Sequence, residues 1–382
     1  MKKIRIGIAG VGFIGPAHIE ALRRLPNLEV VSISHSTIEK AQSKAESLGI
    51  DKYYASFEEQ IANDHLDCIH ICTPNSLHYK MSKLALEAGI HVVCEKPLAT
   101  TISEAQELVE LARKTELVNA VHFNIRYYPI VRQMRQSRLN GDLGQIFSVI
   151  GTYLQDWLYF DTDYNWRLEP ELSGESRAIA DIGSHLIDLL EYVTGLRIVS
   201  VFADMNTVHK TRKKPLKPIE TYSGKILQPG DYAEVKINTE DFATVLLRFD
   251  NGNKGVVTVS QVSAGRKNQL AIEIGGSRQN WKWNSESPNQ LWVGYRDQPN
   301  QVLMRDPSLM TDEAKTVTSL PGGHNEGFAD TSKHMFMEVY QAIRAGRQPV
   351  TPPYPTFEEG LRELILCESI LKSHHAQRWI DV

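Results

Sequence analysis

The sequence predicts an α/β domain built on a parallel sheet, followed by an α+β domain with a large, mostly antiparallel open sheet. Three observations predict it. From residue 3 to about residue 122, short apolar runs alternate with segments of helical period, the signature of βαβ units. After about residue 125, longer alternating strands take over, with a hairpin turn at Asp250-Asn251-Gly252-Asn253. The chain has 382 residues, enough for two separate cores. The expected division is 1–124 for the first domain and 125–382 for the second.

The first strand, Lys3 to Ala9, runs into Gly10-Val11-Gly12-Phe13-Ile14-Gly15, and a helix should follow from Pro16, whose φ is already fixed. Strand, glycine turn and helix in that order read as a Rossmann dinucleotide-binding unit. Gly10 allows the tight turn, Gly12 lets backbone N–H groups approach a pyrophosphate, and Gly15 lets the helix pack close on the strand. Further strands are expected at Leu28 to Ser34, Cys68 to Cys72, His91 to Cys94 and Val118 to His122. Helices around Ala17 to Leu25, Ile38 to Leu48, Leu77 to Ala88 and Ile102 to Arg113 separate them, the last opened by Thr101 and Glu104 at capping-box spacing. In the second domain the hairpin joins Ala243 to Phe249 with Gly255 to Val262, and helices are expected near Ile179 to Val193, Glu326 to Ala345 and Phe357 to Ser373. Pro349 to Pro355 reads as a rigid connector.

The formal net charge of −4, with both signs mixed along the chain, supplies no large positive field for a nucleic-acid backbone. The densest basic run, His209 to Lys217, reads as a solvated loop. No apolar run approaches the roughly 18 residues that span a bilayer, so no membrane partner and a cytoplasmic location are expected. The four cysteines, Cys68, Cys72, Cys94 and Cys367, are expected as reduced core residues. No His/Cys group has zinc spacing, which implies no metal.

Three segments carry candidate chemistry. Glu95-Lys96-Pro97 follows the strand His91 to Cys94, so Lys96 stands at the carboxyl edge of the sheet, where open α/β sheets bind ligands. Asp181-Ile182-Gly183-Ser184-His185 places a carboxylate and an imidazole one helical turn apart, an arrangement suited to proton transfer near neutral pH. Cys72-Thr73-Pro74-Asn75, with His78, ends a strand in a polar turn beside the expected cleft, where Asn75 would reach a ribose hydroxyl.

Together with Asn124-Ile125-Arg126-Tyr127 and Trp166-Arg167, these segments make a chain that resembles the Gfo/Idh/MocA oxidoreductases over nearly its whole length. The resemblance implies a catalytic group of Lys96, Asp181 and His185, a cis Lys96-Pro97 peptide, and NAD or NADP as cofactor. Cofactor contacts are then expected from Gly10, Gly12, Phe13, Ile14, Gly15, Cys72, Thr73, Pro74, Asn75, His78, Glu95, Lys96, Asn124, Trp166 and Arg167. The family's acidic residue at the end of the second strand is absent here. Ser34-His35-Ser36-Thr37 stands in its place, with His35 at the acid's position in the cofactor pocket, so a 2′-phosphate is not repelled and Ser34, Ser36 or Lys40 would contact it. The triple glycine that often precedes Asp181 is also missing, replaced by Gly174-Glu175-Ser176-Arg177.

The implied activity is hydride transfer between nicotinamide and a secondary alcohol of a cyclic polyol, sugar or glycoside. Substrate contacts are expected from Lys96, Arg126, Tyr127, Gln155, Trp157, Asp181, His185 and His324, with Asn124 and Asp156 nearby in sequence. A glycosidase that oxidises its substrate transiently with held NAD, and a non-catalytic nucleotide-sensing regulator, are the rival readings. An open antiparallel sheet has a face to cover, so a homodimer or homotetramer is expected.

Overall fold

The computed structural model describes residues 2–216 and 229–382. They fall into two compact units: Met1–Asn124 with Phe328–Leu364, and Ile125–Gly327 with Ile365–Val382. The first unit carries β1 (Ile4–Ala9), α1 (Ile14–Arg23), β2 (Leu28–Ser34), α2 (Ile38–Leu48), β3 (Lys52–Tyr54), α3 (Phe57–Asn63), β4 (Cys68–Ile71), α4 (His78–Glu87), β5 (His91–Cys94), α5 (Ile102–Thr115) and β6 (Asn119–Val121). Its six strands are all parallel, in the order β3-β2-β1-β4-β5-β6. This doubly wound order reverses between β1 and β4, and the crevice beyond the carboxyl ends of those strands is where such sheets bind ligands. Ile6, Ile8, Ile69, Ile71, Val92 and Val93 are wholly buried, as expected of strands covered on both faces.

Helix starts follow local chemistry. The Thr101 and Glu104 capping box is present at α5, and Thr37 accepts from the Lys40 N–H at α2. The helix expected from Pro16 begins two residues earlier, at Ile14. Pro16 then lies in the first turn, where its missing N–H removes a donor that has no helical partner anyway. The sequence reading passed over β3 and α3. β3 is a three-residue edge strand without an apolar run, whereas α3 did carry a start signal, Ser56 accepting from the Glu59 N–H.

The second unit contains α6 (Pro129–Leu139), β7 (Ile146–Leu154), α7 (Pro170–Ser173), α8 (Ser184–Thr194), β8 (Ile198–Asn206), β9 (Thr211–Pro215), β10 (Tyr232–Lys236), β11 (Phe242–Phe249), β12 (Lys254–Ser260), β13 (Gln269–Gly276), β14 (Asn280–Asn284), β15 (Gln290–Gly294), β16 (Gln301–Met304) and α9 (Asp312–Lys315). Helices α10 (Phe328–Ala345) and α11 (Phe357–Ala376) and strand β17 (Ile380–Asp381) complete the chain, α10 belonging to the first unit and α11 contributing to both. A nine-stranded sheet, ordered β16-β15-β14-β13-β7-β12-β11-β8-β17, is antiparallel except where β12 runs parallel to β7. The expected hairpin is present, with Leu247 opposite Gly255.

One face of this sheet carries the core. Val245, Leu247 and Phe249 of β11 pack with Ile187 and Leu190 of α8 and with Ile130 and Met134 of α6. Each such side chain contributes roughly 1.5–3 kcal/mol by removal from water. The alternate residues point outward, and Phe147 at 61%, Ile150 at 44% and Leu246 at 44% remain exposed. The basic run read as a loop is instead partly strand: β9 pairs with β10, because Arg212 is wholly buried against Asp241 and draws its segment into the fold. Lys217, at the end of that run, lies outside the described residues.

Candidate active site

In the first unit, Gly10 has φ +86°, and a side chain there would strike the Cys72 carbonyl oxygen at 2.7 Å. A Cβ on Gly15 would lie 2.3 Å from the Gly10 carbonyl oxygen, so helix and loop approach as only glycine permits. A Cβ on Gly12 would meet nothing within 4 Å. The loop is thus closed by backbone on one side and open at Gly12, a cradle that fits a dinucleotide pyrophosphate. Phe13 is 65% exposed beside it. The Gly10 N–H donates to the carbonyl of the buried Ser34, tying the loop to the end of β2. There His35 accepts from the Ser36 N–H at 2.7 Å. Partial burial, then the charges of Lys40 and Lys44, lower the His35 pKa, which marks a locally cationic edge.

Two turns at the carboxyl edge are tied together by His78. Its Nδ1 lies 2.7 Å from the Pro97 carbonyl oxygen and its Nε2 2.9 Å from that of Thr73. A neutral ring donates to one of these carbonyls, and an imidazolium donates to both. Burial pushes its pKa down, against the pull of the two carbonyls. Asn75 begins a short 3₁₀ turn, Asn75–Leu77, and the Lys96-Pro97 peptide is cis. Lys96 is half-buried at the end of β5.

Glu95 turns inward. Its Oε1 accepts from His18 Nε2 at 2.9 Å and from His122 Nδ1 at 2.6 Å. His18 is buried, and its pKa is lowered to about 4, first by burial and then by the His122 charge. A neutral His18 that donates through Nε2 must accept at Nδ1, so His70 Nδ1, 2.9 Å away, carries a proton and His70 Nε2 accepts from Tyr340 Oη at 2.8 Å. On the other arm His122 Nε2 is 3.0 Å from Ser332 Oγ. Burial would raise the Glu95 carboxyl, but His122 and His18 outweigh it and hold it well below the usual range.

Linear spacing gave no sign of this His18, Glu95 and His122 group, whose ligand-type atoms all lie within 4.8 Å of one another. The two contacts to Glu95 are of hydrogen-bond length, and the donors of the two histidines satisfy them. All four cysteines are buried thiols, Cys68 pushed up to about 12 by burial.

In the second unit, Asp181 and His185 do not share a regular helical turn. Ile179–Gly183 is a π-helical turn leading into α8, a local irregularity that recurs at functional sites. Asp181 Oδ2 accepts from Gln261 Nε2 at 2.9 Å, and Oδ1 from Arg167 Nε at 3.3 Å. Arg167 lies over the ring of Trp166 at 4.6 Å and that of Trp157 at 5.9 Å. Trp157 Nε1 donates to Gln155 Oε1, and Gln155 Nε2 to Asn268 Oδ1, so Gln155, Trp157, Trp166, Arg167 and Asp181 form one linked cluster.

The remaining candidates each have partners of their own. The Arg126 guanidinium forks onto Asp188 and lies over Tyr192, and Tyr127 is wholly buried under Arg132. Asn124 donates to Thr331 Oγ1 at 2.7 Å, and Asp156 pairs with Lys267. His324 is exposed in a turn whose backbone carbonyl accepts from Arg305. Gln261 was missed because it lies in no motif, and Arg177 was noted only as the end of the segment that replaces the triple glycine.

A family described as oxidoreductases with an NAD-binding Rossmann fold matches residues 4–123, and the GFO/IDH/MocA C-terminal domain matches residues 131–282. The levoglucosan dehydrogenase of Pseudarthrobacter phenanthrenivorans is 28% identical over 399 aligned positions, which span 100% of this chain and 99% of that protein. A levoglucosan dehydrogenase structure in complex with NADH and L-sorbose superposes with a TM-score of 0.89 at 26% identity, covering 100% of this chain and 99% of the other. An inositol dehydrogenase homologue from Azotobacter vinelandii, complexed with NAD+, gives a TM-score of 0.86 at 26% identity, covering 100% and 98%. With its glycine cradle, doubly wound sheet and C-terminal domain all matched, the chain belongs to the Gfo/Idh/MocA family and is an NAD-dependent dehydrogenase.

Proposed function

We propose that the protein oxidises a secondary alcohol of a cyclic sugar, glycoside or polyol. The observation that carries this reading is the cluster around Asp181: a carboxylate held by Gln261 and Arg167, with Trp157 and Trp166 packed against that arginine. Indole rings suit the apolar face of a pyranose, and a fixed carboxylate suits a hydroxyl. The names of the relatives, levoglucosan and inositol dehydrogenases, point to the same substrate class.

NAD, when bound, accepts the hydride. In this reading His185 takes the hydroxyl proton, Asp181 orients the imidazole and favours its charged form, and Lys96 polarises the oxygen being oxidised. Phe13 and the open side of Gly12 hold the cofactor, so the protein's own contribution is alignment and proton handling. The exposed Phe147, Ile150 and Leu246 of the nine-stranded sheet support a homo-oligomer built through that face.

The test is a screen of levoglucosan, glucosides, glucose and inositols with NAD, read as nicotinamide reduction, followed by Lys96→Ala and His185→Ala on the best substrate. Each variant is expected to lower turnover about 100-fold or more with NAD affinity little changed. Near wild-type turnover would remove the assigned role. Glycoside cleavage without net NAD reduction would replace the dehydrogenase reading with the glycosidase one, and rapid turnover of lactate or malate would overturn the substrate class.

A further inference from the structure

Arginine offers only donors, a carboxylate only acceptors, and a glutamine amide one group of each kind. Gln261, the residue after β12, is wholly buried and stands between the two. Its Oε1 accepts from Arg177 Nη1 at 3.0 Å, while its Nε2 donates to Asp181 Oδ2 at 2.9 Å. The flipped amide would set N–H against N–H on one side and oxygen against oxygen on the other, so a single orientation survives.

The anchor behind it is rigid. Arg177 Nε donates to Thr239 Oγ1 at 3.1 Å, and its Nη2 reaches Asp241 Oδ1 at 2.5 Å. Asp241 also receives Arg212 Nη2 at 2.8 Å and the Val208 N–H at 2.8 Å. The Gln261 backbone is fastened as well, its N–H donating to the Asp241 carbonyl at 2.9 Å and its own carbonyl accepting from the Leu158 N–H at 3.2 Å. A neutral amide therefore delivers a donor to Asp181 while the buried cation stays one residue away.

We propose that Gln261 is a positioning residue: its amide, oriented by Arg177, holds Asp181 ionised and in one rotamer. The proposal rests on the reading of Asp181 as part of the catalytic group. The charged groups on this tether are Arg167 on Oδ1, and Arg177 and Asp241 behind Gln261, while His185 follows Asp181 by four residues in sequence. Glu240 also belongs to this set. It is buried, its carboxyl is pushed up by burial, and it accepts from the Arg177 and Ile179 N–H groups.

Two variants of the full-length protein, Gln261→Glu and Gln261→Met, test it. The readouts are the ¹³C titration of the Asp181 carboxyl, assigned with Asp181→Asn, and the pH profile of kcat/KM on the substrate found in the screen. Gln261→Glu brings two carboxylates to about 3 Å, which then share one proton, so the Asp181 titration and the acid limb should both rise by about one pH unit or more. Gln261→Met fills similar space without a donor and should move both in the same direction by less. A role in packing alone leaves the titration in place in Gln261→Met, and that result overturns the proposal. A carboxyl titration that moves while the kcat/KM profile stays fixed keeps the tether and removes Asp181 from the chemistry. If Gln261→Glu does not fold, Gln261→Met decides alone.

Discussion

The two units each bury a polar network, and the networks differ in what carries the charge. In the first, three histidines, a tyrosine and a serine form two arms that converge on the single carboxylate of Glu95, whose Oε2 also accepts from the Lys96 N–H. In the second, two arginines fix Asp241, and one of them orients the neutral amide of Gln261, which donates to the side chain of Asp181. Imidazoles titrate near neutral pH and guanidinium groups do not. The first network should therefore yield to mild acid, and the second should yield only to the removal of a partner.

The largest expected effect breaks the second network directly. Arg177→Met leaves Asp241 with one cation instead of two and Gln261 without its orienting donor, which should destabilise the protein by about 3–5 kcal/mol. The matching cut in the first network, Tyr340→Phe, removes one neutral donor from His70 and should cost about 1 kcal/mol. Urea unfolding compares the two, and equal losses would erase the distinction between them.

A second expectation concerns acid. His18 is held at about 4 and His70 lies well below its ordinary value, so between about pH 6.5 and pH 4 the unfolded chain binds protons that the folded one does not. Stability then falls as pH falls through that window, with His18 alone accounting for about 3 kcal/mol. Glu95, held below its ordinary range, adds a further loss under about pH 4.5. Hydrogen exchange at pH 7 and pH 5, corrected for intrinsic rates, should show β1, β4 and β5 losing protection while β11 and β12 keep theirs. Parallel loss would contradict the comparison.

The smallest effect tests the cationic edge beside the glycine loop. His35→Asp should weaken NADP at least about tenfold more than NAD, because a carboxylate repels a 2′-phosphate and accepts from a 2′-hydroxyl. Calorimetric titration of both cofactors reads this, and equal changes would show that residue 35 does not face the adenosine ribose.

Much of the fold was legible because its signals are local. Gly10 to Gly15, the Thr101 and Glu104 capping box, and the turn at Asp250 to Asn253 each impose a backbone conformation within a few residues. β3 escaped because three half-exposed edge residues carry no periodicity, and β9 because its basic residues looked solvated until Asp241 was placed against Arg212. Of the candidate site, Lys96, Asp181 and His185 stood out through their motifs. Arg126 and Tyr127 stood out in the same way, and only the structure showed their partners, Asp188 and Arg132.

The sequence by itself determined most of the strand and helix order of the first domain, the glycine cradle and the residue types at the carboxyl edge, since these depend on dihedral preference, capping and hydrophobic period over short spans. Only the tertiary structure decided which polar groups face one another. His18 meets Glu95 across 77 positions and Gln261 meets Asp181 across 80, contacts that no local pattern encodes. A buried donor must find an acceptor wherever the folded chain supplies one, and that pairing is a property of the packed interior rather than of any segment within it.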